Sequence, residues 1–219
     1  MAELPLDPLL AKCLVSSYKY DCFDPIVSIV ALLSVPSIFV HPKGLEKKAL
    51  MSRRKYSVKE GDHLSLLNIY NGFVESDYDS KWCQTHYFSY KILGQVVQVR
   101  HQLKLLMRKL ASIMKTKDSE NSKNQTDLEH VKIRKCLLEG FFSNVARLEP
   151  DGQSYRTLRG GSNLYIHPSS ILTAYSPKWV MFHEVVETTK IFMREVSEIE
   201  LDWLLEIAPH YYQLPTQLL

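Results

Sequence analysis

Toward the C-terminus the apolar positions recur with period two. Over residues 178–187 they occupy both alternating faces, with Trp179, Met181 and Val185 on one and Val180, Phe182 and Val186 on the other. A strand apolar on both sides belongs in the middle of a barrel or sandwich. Thr188-Thr189-Lys190 interrupts the run, and a second strand-like stretch covers 191–196. Ser197-Glu198-Ile199-Glu200 fits a capping box, which predicts a short helix stopped by Pro209. Upstream, alternation starts over 141–148. The turn residues Pro150-Asp151-Gly152 and Gly160-Gly161 set off strands near 154–158 and 163–167. Five strands in so short a span predict a small closed β domain.

The first half of the chain has helical period instead. Asp7-Pro8 supplies an N-cap and a first-turn proline for a helix with Leu9, Leu10, Leu14 and Val15 on its apolar side. Asp24-Pro25 repeats the device before a mostly buried helix over 26–33, which Pro36 ends. Gly61-Asp62 caps a helix through Leu64, Leu67, Ile69, Tyr70 and Phe73, and Asp79-Ser80 starts another anchored by Trp82. In the longest pattern Ile92, Val96, Val99, Leu103, Leu106, Leu110 and Ile113 alternate at spacings of four and three. That spacing predicts one apolar seam on a long helix. Arg100, Lys104 and Arg108, at i, i+4 and i+8, form a basic stripe beside it. A further helix is expected over 129–139, closed by Gly140.

Residues 115–128 are polar, with no aromatic and no apolar β-branched residue, and are expected to be a flexible linker. The predicted organisation is therefore α+β and multidomain. An all-α bundle spans 1–114, the linker 115–128, and a β-barrel module with a C-terminal helix 129–219.

Composition narrows the chemistry. The 219 residues are 45% hydrophobic and 23% charged, an ordinary globular balance that excludes a wholly disordered chain. A net charge of +3 does not by itself indicate nucleic acid, so clustering of the basic residues matters more. Lys43, Lys47, Lys48, Arg53, Arg54 and Lys55 cluster within 41–60 and are expected on a solvated helix and loop. Cys13, Cys22, Cys83 and Cys136 form no Cys-x-x-Cys and suggest free buried thiols in a reducing compartment. Cys83 and His86 have half of a zinc spacing with no second pair at the usual distance, so no metal site is expected.

The start, Met1-Ala2-Glu3-Leu4-Pro5, has neither the basic nor the apolar region of a signal peptide. No apolar run approaches the ~20 residues of a membrane span, so no membrane partner is expected. There is no Gly-x-x-x-x-Gly-Lys-[Ser/Thr], no Asp-Glu-Ala-His and no Gly-x-Ser-x-Gly. His63, beside a helix start, and His167, before Pro168, are expected to be structural.

Particular wording carries a resemblance. Ile-His-Pro-Ser-Ser at 166–170, Trp-Val-Met-Phe-His-Glu at 179–184, Thr-Thr-Lys at 188–190, Phe-Met-Arg-Glu-Val at 192–196 and Trp-Leu-Leu-Glu-Ile-Ala-Pro at 203–209 resemble the C-terminal OB-fold of DEAH-box RNA helicases. Ala-Glu-Leu-Pro-Leu-Asp-Pro at 2–8, Glu-Gly-Asp-His-Leu-Ser-Leu-Leu-Asn-Ile-Tyr at 60–70, Lys-Trp-Cys at 81–83, Arg-His-Gln-Leu at 100–103 and Gly-Phe-Phe-Ser-Asn-Val-Ala at 140–146 resemble the ratchet-like module before it. The wording around 60–83 is most similar to the splicing-associated branch.

The resemblance implies an all-α ratchet-like bundle followed by a five-stranded OB-fold barrel. The implied function is that of a helicase accessory region. It would close the RNA channel, hold single-stranded RNA during ATP-driven translocation, and receive activating partners such as G-patch proteins or spliceosome components, in the nucleus. ATP and Mg would belong to motor domains outside this sequence, so the chain alone is expected to be inactive. The winged-helix segment that would precede position 1 is also outside it. Candidate RNA-binding residues are Arg100, Lys104 and Arg108 on the ratchet side and Thr188, Thr189 and Lys190 in the barrel loop. The rival expectation is a stand-alone, non-catalytic RNA-binding or adaptor protein derived from such a helicase.

Overall fold

A computed structural model describes residues 6–114 and 128–212, with the backbone alone over 111–114. The expected linker lies outside the described residues except for Leu128, which is exposed. Among the described residues seven helices precede the barrel: α1 (Pro8–Ser16), α2 (Phe23–Leu33), α3 (Glu46–Arg54), α4 (Asp62–Glu75), α5 (Ser80–His86), α6 (Tyr90–Met114) and α7 (Glu129–Phe141). The strands are β1 (Val145–Leu148), β2 (Tyr155–Thr157), β3 (Asn163–Ile166), β4 (Trp179–Glu187) and β5 (Ile191–Glu198). A 3₁₀ turn, Ile171–Ala174, precedes β4, and α8 (Leu201–Ile207) follows β5.

Local chemistry accounts for several helix starts. The Asp7 carboxylate accepts from the Leu9 N–H at 2.7 Å, and Asp79 caps α5 through the N–H groups of Lys81 and Trp82. The Asp24-Pro25 device is not used in this way. α2 begins at Phe23, so both residues fall inside its first turn, and no side chain caps it. Residues Ile26 through Leu32 are all buried, because α2 packs against α1, α4, α6 and α7 together.

The seam of α6 also differs from the expected one. Leu93, Val96, Leu103 and Met107 are buried, while Leu106 and Leu110 are exposed. Both lines share Val96 and Leu103. The partner decides between them, since the 11 residues of α2 reach only ~16 Å along a helix of about twice that length. The buried line passes through Arg100, which is consequently half-buried.

Gly140 does not close α7, which runs on to Phe141. A Cβ at this position would lie 2.2 Å from Cys13 Sγ and 2.5 Å from the Leu9 carbonyl oxygen. The glycine is where α1 crosses α7 at backbone distance. The Glu139 carboxylate closes the same crossing by accepting from Ser16 Oγ at 2.8 Å and Tyr20 Oη at 3.1 Å and pairing with Lys19.

The strands close into a barrel in the order β1-β2-β3-β5-β4, with β4 returning to β1. Every pairing is antiparallel except β3 with β5. This is the OB arrangement. The two-sided burial of β4 has two sources. Val180 and Phe182 fill the barrel with Tyr155, Leu164, Met193 and Val196, whereas Trp179 and Met181 join the helical core. From Glu184 on, β4 projects past that core, and Val185 is exposed. The predicted capping box fails because Ser197 is still in β5. α8 starts after Glu200 without a side-chain cap. One apolar cluster extends from Leu10 through α7 to Trp203 and Tyr212, so helices and barrel share a core.

Candidate nucleic-acid interface

Two turns meet at one end of the barrel. In the β1–β2 turn Asp151 accepts from the N–H groups of Gln153 and Ser154 at 2.9 and 2.8 Å and from Ser154 Oγ at 2.6 Å. These donors hold its carboxyl below the usual range, and Gly152, at φ 68°, completes the turn. In the β4–β5 turn the Thr188 N–H donates to the Lys190 carbonyl at 2.9 Å, leaving Thr188, Thr189 and Lys190 exposed.

Between the turns runs a groove of about 380 Å³. Gly152 and Gln153 line it from one turn, Thr189 and Lys190 from the other, and Tyr155, Tyr165 and Phe192 from the strands. Lys190 Nζ sits 3.9 Å from the centre of the Tyr165 ring, and that ring lies 6.2 Å from Phe192. Half-exposed aromatics beside an ammonium and hydroxyls offer stacking for bases and contacts for phosphates. Tyr165 and Phe192 were not among the expected residues. They become neighbours only through the parallel β3–β5 register, which pairs positions 27 residues apart.

The basic stripe resolves differently along its length. Arg100 Nη2 lies 2.9 Å from Asp24 Oδ1, and its Nε donates to Ser28 Oγ at 2.9 Å. Lys104 pairs with the same carboxylate, and these cations hold Asp24 below the ordinary carboxylate range, Lys104 foremost. Arg108 is exposed and has no ion pair among the described residues. Stripe and barrel turn share no hydrogen bond, ion pair or ring contact.

The helical part grips the barrel through residues 60–63. A Cβ on Gly61, at φ 128°, would fall 2.5 Å from the Val196 carbonyl oxygen. Asp62 is buried, and its carboxylate accepts from the Ile171 N–H at 3.1 Å and the Val196 N–H at 2.9 Å. His63 is fully buried, with Nδ1 2.8 Å from Ser197 Oγ, and burial pushes its pKa down to about 3. It is a neutral packing residue at the joint. His167 accepts from the Ser169 N–H at 3.1 Å and fixes the exit of β3. Cys83 is buried, and His86 sits 2.8 Å from the Trp82 carbonyl within an aromatic cluster. Among the described residues no group of three His, Cys, Asp or Glu side chains could hold a metal.

Comparison with known proteins adds two family matches. "Helicase associated domain (HA2), ratchet-like" covers residues 7–66, and "Oligonucleotide/oligosaccharide-binding (OB)-fold" covers 133–211. The human "Probable ATP-dependent RNA helicase DHX35" is 43% identical over 219 residues, covering all of this chain and 30% of that protein. The Pongo abelii protein of the same name is 42% identical over 218 residues, covering 99% of this chain and 29% of that protein. The chain thus spans under a third of the length of these curated relatives.

Proposed function

The chain belongs to the C-terminal region of the DEAH-box RNA helicases, a ratchet-like module followed by an OB-fold, and we propose that it holds single-stranded RNA for motor domains carried elsewhere in such a helicase. In this reading it closes the RNA channel against the motor during translocation. The supporting observation is the barrel groove, where Lys190 stands over Tyr165 beside Phe192, flanked by two polar turns. OB-folds bind oligonucleotides between the corresponding loops. Stacking tolerates any base and phosphate contacts read no sequence, which suits a strand that must slide.

The sequence has no Gly-x-x-x-x-Gly-Lys-[Ser/Thr] phosphate loop, so in this proposal ATP and Mg belong to the motor domains and no nucleotide step is assigned to this chain. Docking of G-patch proteins belongs to the same proposal and rests on the family resemblance as a whole, and a role in nuclear pre-mRNA splicing rests on that of residues 60–83.

The test is a titration of single-stranded RNA, at several salt concentrations, into a helicase bearing this region. Lys190→Ala should reduce the slope of log K against log salt by about 0.7. Tyr165→Ala should weaken binding with little change in slope. Among the stripe residues Arg108→Gln is the clean substitution, because Arg100→Gln or Lys104→Gln also removes one of the two ion pairs to Asp24. Unchanged affinity and slope in both Lys190→Ala and Tyr165→Ala would overturn the assignment of the groove.

A further inference from the structure

Resting on that RNA reading, we propose that a second cavity, between α2, α4 and α6, is a pocket for a single unstacked nucleobase of the same class of strand. The cavity measures about 300 Å³, and Asp24, Tyr70, Asn71, Tyr78, Arg100 and Glu129 are on its lining. Three observations give it that chemistry.

The first is a preset aromatic wall. Asp77 and Tyr78 both have positive φ, 54° and 59°, a conformation that non-glycine residues adopt only at a cost in backbone strain. It is held by the Tyr78 N–H donating to the Phe73 carbonyl at 3.0 Å and by the Tyr78 ring standing edge-on to Phe73, centroids 5.4 Å apart. The result is a tyrosine ring 42% exposed at the mouth of the cavity, fixed before any ligand arrives.

The second is an open hydrogen-bonding edge. Asn71 is exposed on α4, and its side-chain amide has no partner among the described residues. An amide offers one donor and one acceptor group to a base edge, and Asn does so bidentately with adenine.

The third is charge balance. Arg100 and Lys104 both pair with Asp24, and Glu129 adds a second carboxylate to the lining, so the cavity carries no excess of positive charge. A phosphate would meet two carboxylates there. A base offers N–H groups to Asp24 and ring atoms to the guanidinium, and a π-face to Tyr78. Arg100, whose guanidinium carbon lies 5.8 Å from the Tyr70 ring centre, thereby gains a role at a base edge.

The experiment is photo-cross-linking of the 219-residue chain to a single-stranded oligoribonucleotide carrying 4-thiouridine, with cross-linked peptides mapped by mass spectrometry. Cross-links are expected at two separate places, the Tyr165–Phe192 groove and the peptide holding Asn71 and Tyr78. Cross-links in the barrel alone would overturn this pocket and leave the RNA reading standing. Cross-links at neither place would overturn both. Tyr78→Ala should abolish the second cross-link and weaken binding roughly 5- to 150-fold, the range of one stacked base, at unchanged salt slope. Tyr78→Phe should restore both, which separates stacking from loss of fold. Full binding by Tyr78→Ala would refute the pocket.

Discussion

Gly140 allows a test in which two simple arguments predict opposite signs. It lies inside α7, where replacing glycine by alanine normally stabilises a helix by ~1 kcal/mol. The new methyl, however, would sit 2.2 Å from Cys13 Sγ and 2.5 Å from the Leu9 carbonyl oxygen, and the second of these is backbone. Relief requires α1 to retreat by roughly 1 Å, which loosens Leu10, Cys13 and Leu14 and strains the bonds from Ser16 and Tyr20 to Glu139. Overpacking of this kind costs ~1–3 kcal/mol and sometimes more. After the helix gain is subtracted, Gly140→Ala should destabilise by up to about 2 kcal/mol, a fall in Tm of up to about 8 °C for a chain of this size. Gly94 is the control. It lies in α6 with nothing within 4 Å of a built Cβ, so Gly94→Ala should stabilise by ~0.5–1 kcal/mol. Thermal unfolding followed by circular dichroism reads both. Adding Cys13→Ala to Gly140→Ala should recover only part of the loss, since Leu9 still blocks the methyl. A Tm that rises in Gly140→Ala as it does in Gly94→Ala would refute the close crossing of α1 and α7.

Two further predictions concern the joint between helices and barrel. Asp62→Ala strands the buried N–H groups of Ile171 and Val196 and should cost about 2–5 kcal/mol by chemical denaturation; a loss below about 1 kcal/mol would mean those donors find other partners. Burial pushes the Glu195 carboxyl up to about 7, against the nearby Arg194. Its folded pKa exceeds its unfolded value of 4.5, so this group's stability is full below 4.5 and is lost as pH rises through 7. Glu195→Gln should accordingly gain up to about 3 kcal/mol over wild type at pH 8 and less than about 1 kcal/mol at pH 5. A pH-independent difference would show that Glu195 is not strained by ionisation.

The sequence by itself determined the features whose causes lie within a few residues. Asp7-Pro8 and Asp79 start α1 and α5 because their carboxylates reach N–H groups two or three positions on. Period-two patterning and the turn glycines gave five strands, and residue runs such as Trp-Val-Met-Phe-His-Glu at 179–184 pointed to the family, hence to the β4–β5 turn as a candidate contact. Tertiary structure decided what a residue does when its partner is far along the chain. Asp24 has the sequence signature of a cap, but Arg100 and Lys104, about 80 residues away, take its carboxylate. Gly140 looks like a stop signal and is a crossing point with α1. Ser197 fits a capping box, yet it stays in β5 and meets His63. The groove's aromatics, Tyr165 and Phe192, are unremarkable alone and become one surface through a parallel register. Caps and turns are settled by geometry within one turn of chain. Buried polar groups are settled by whichever partner the fold brings within hydrogen-bonding distance, because leaving them unpaired costs more than forgoing a local bond.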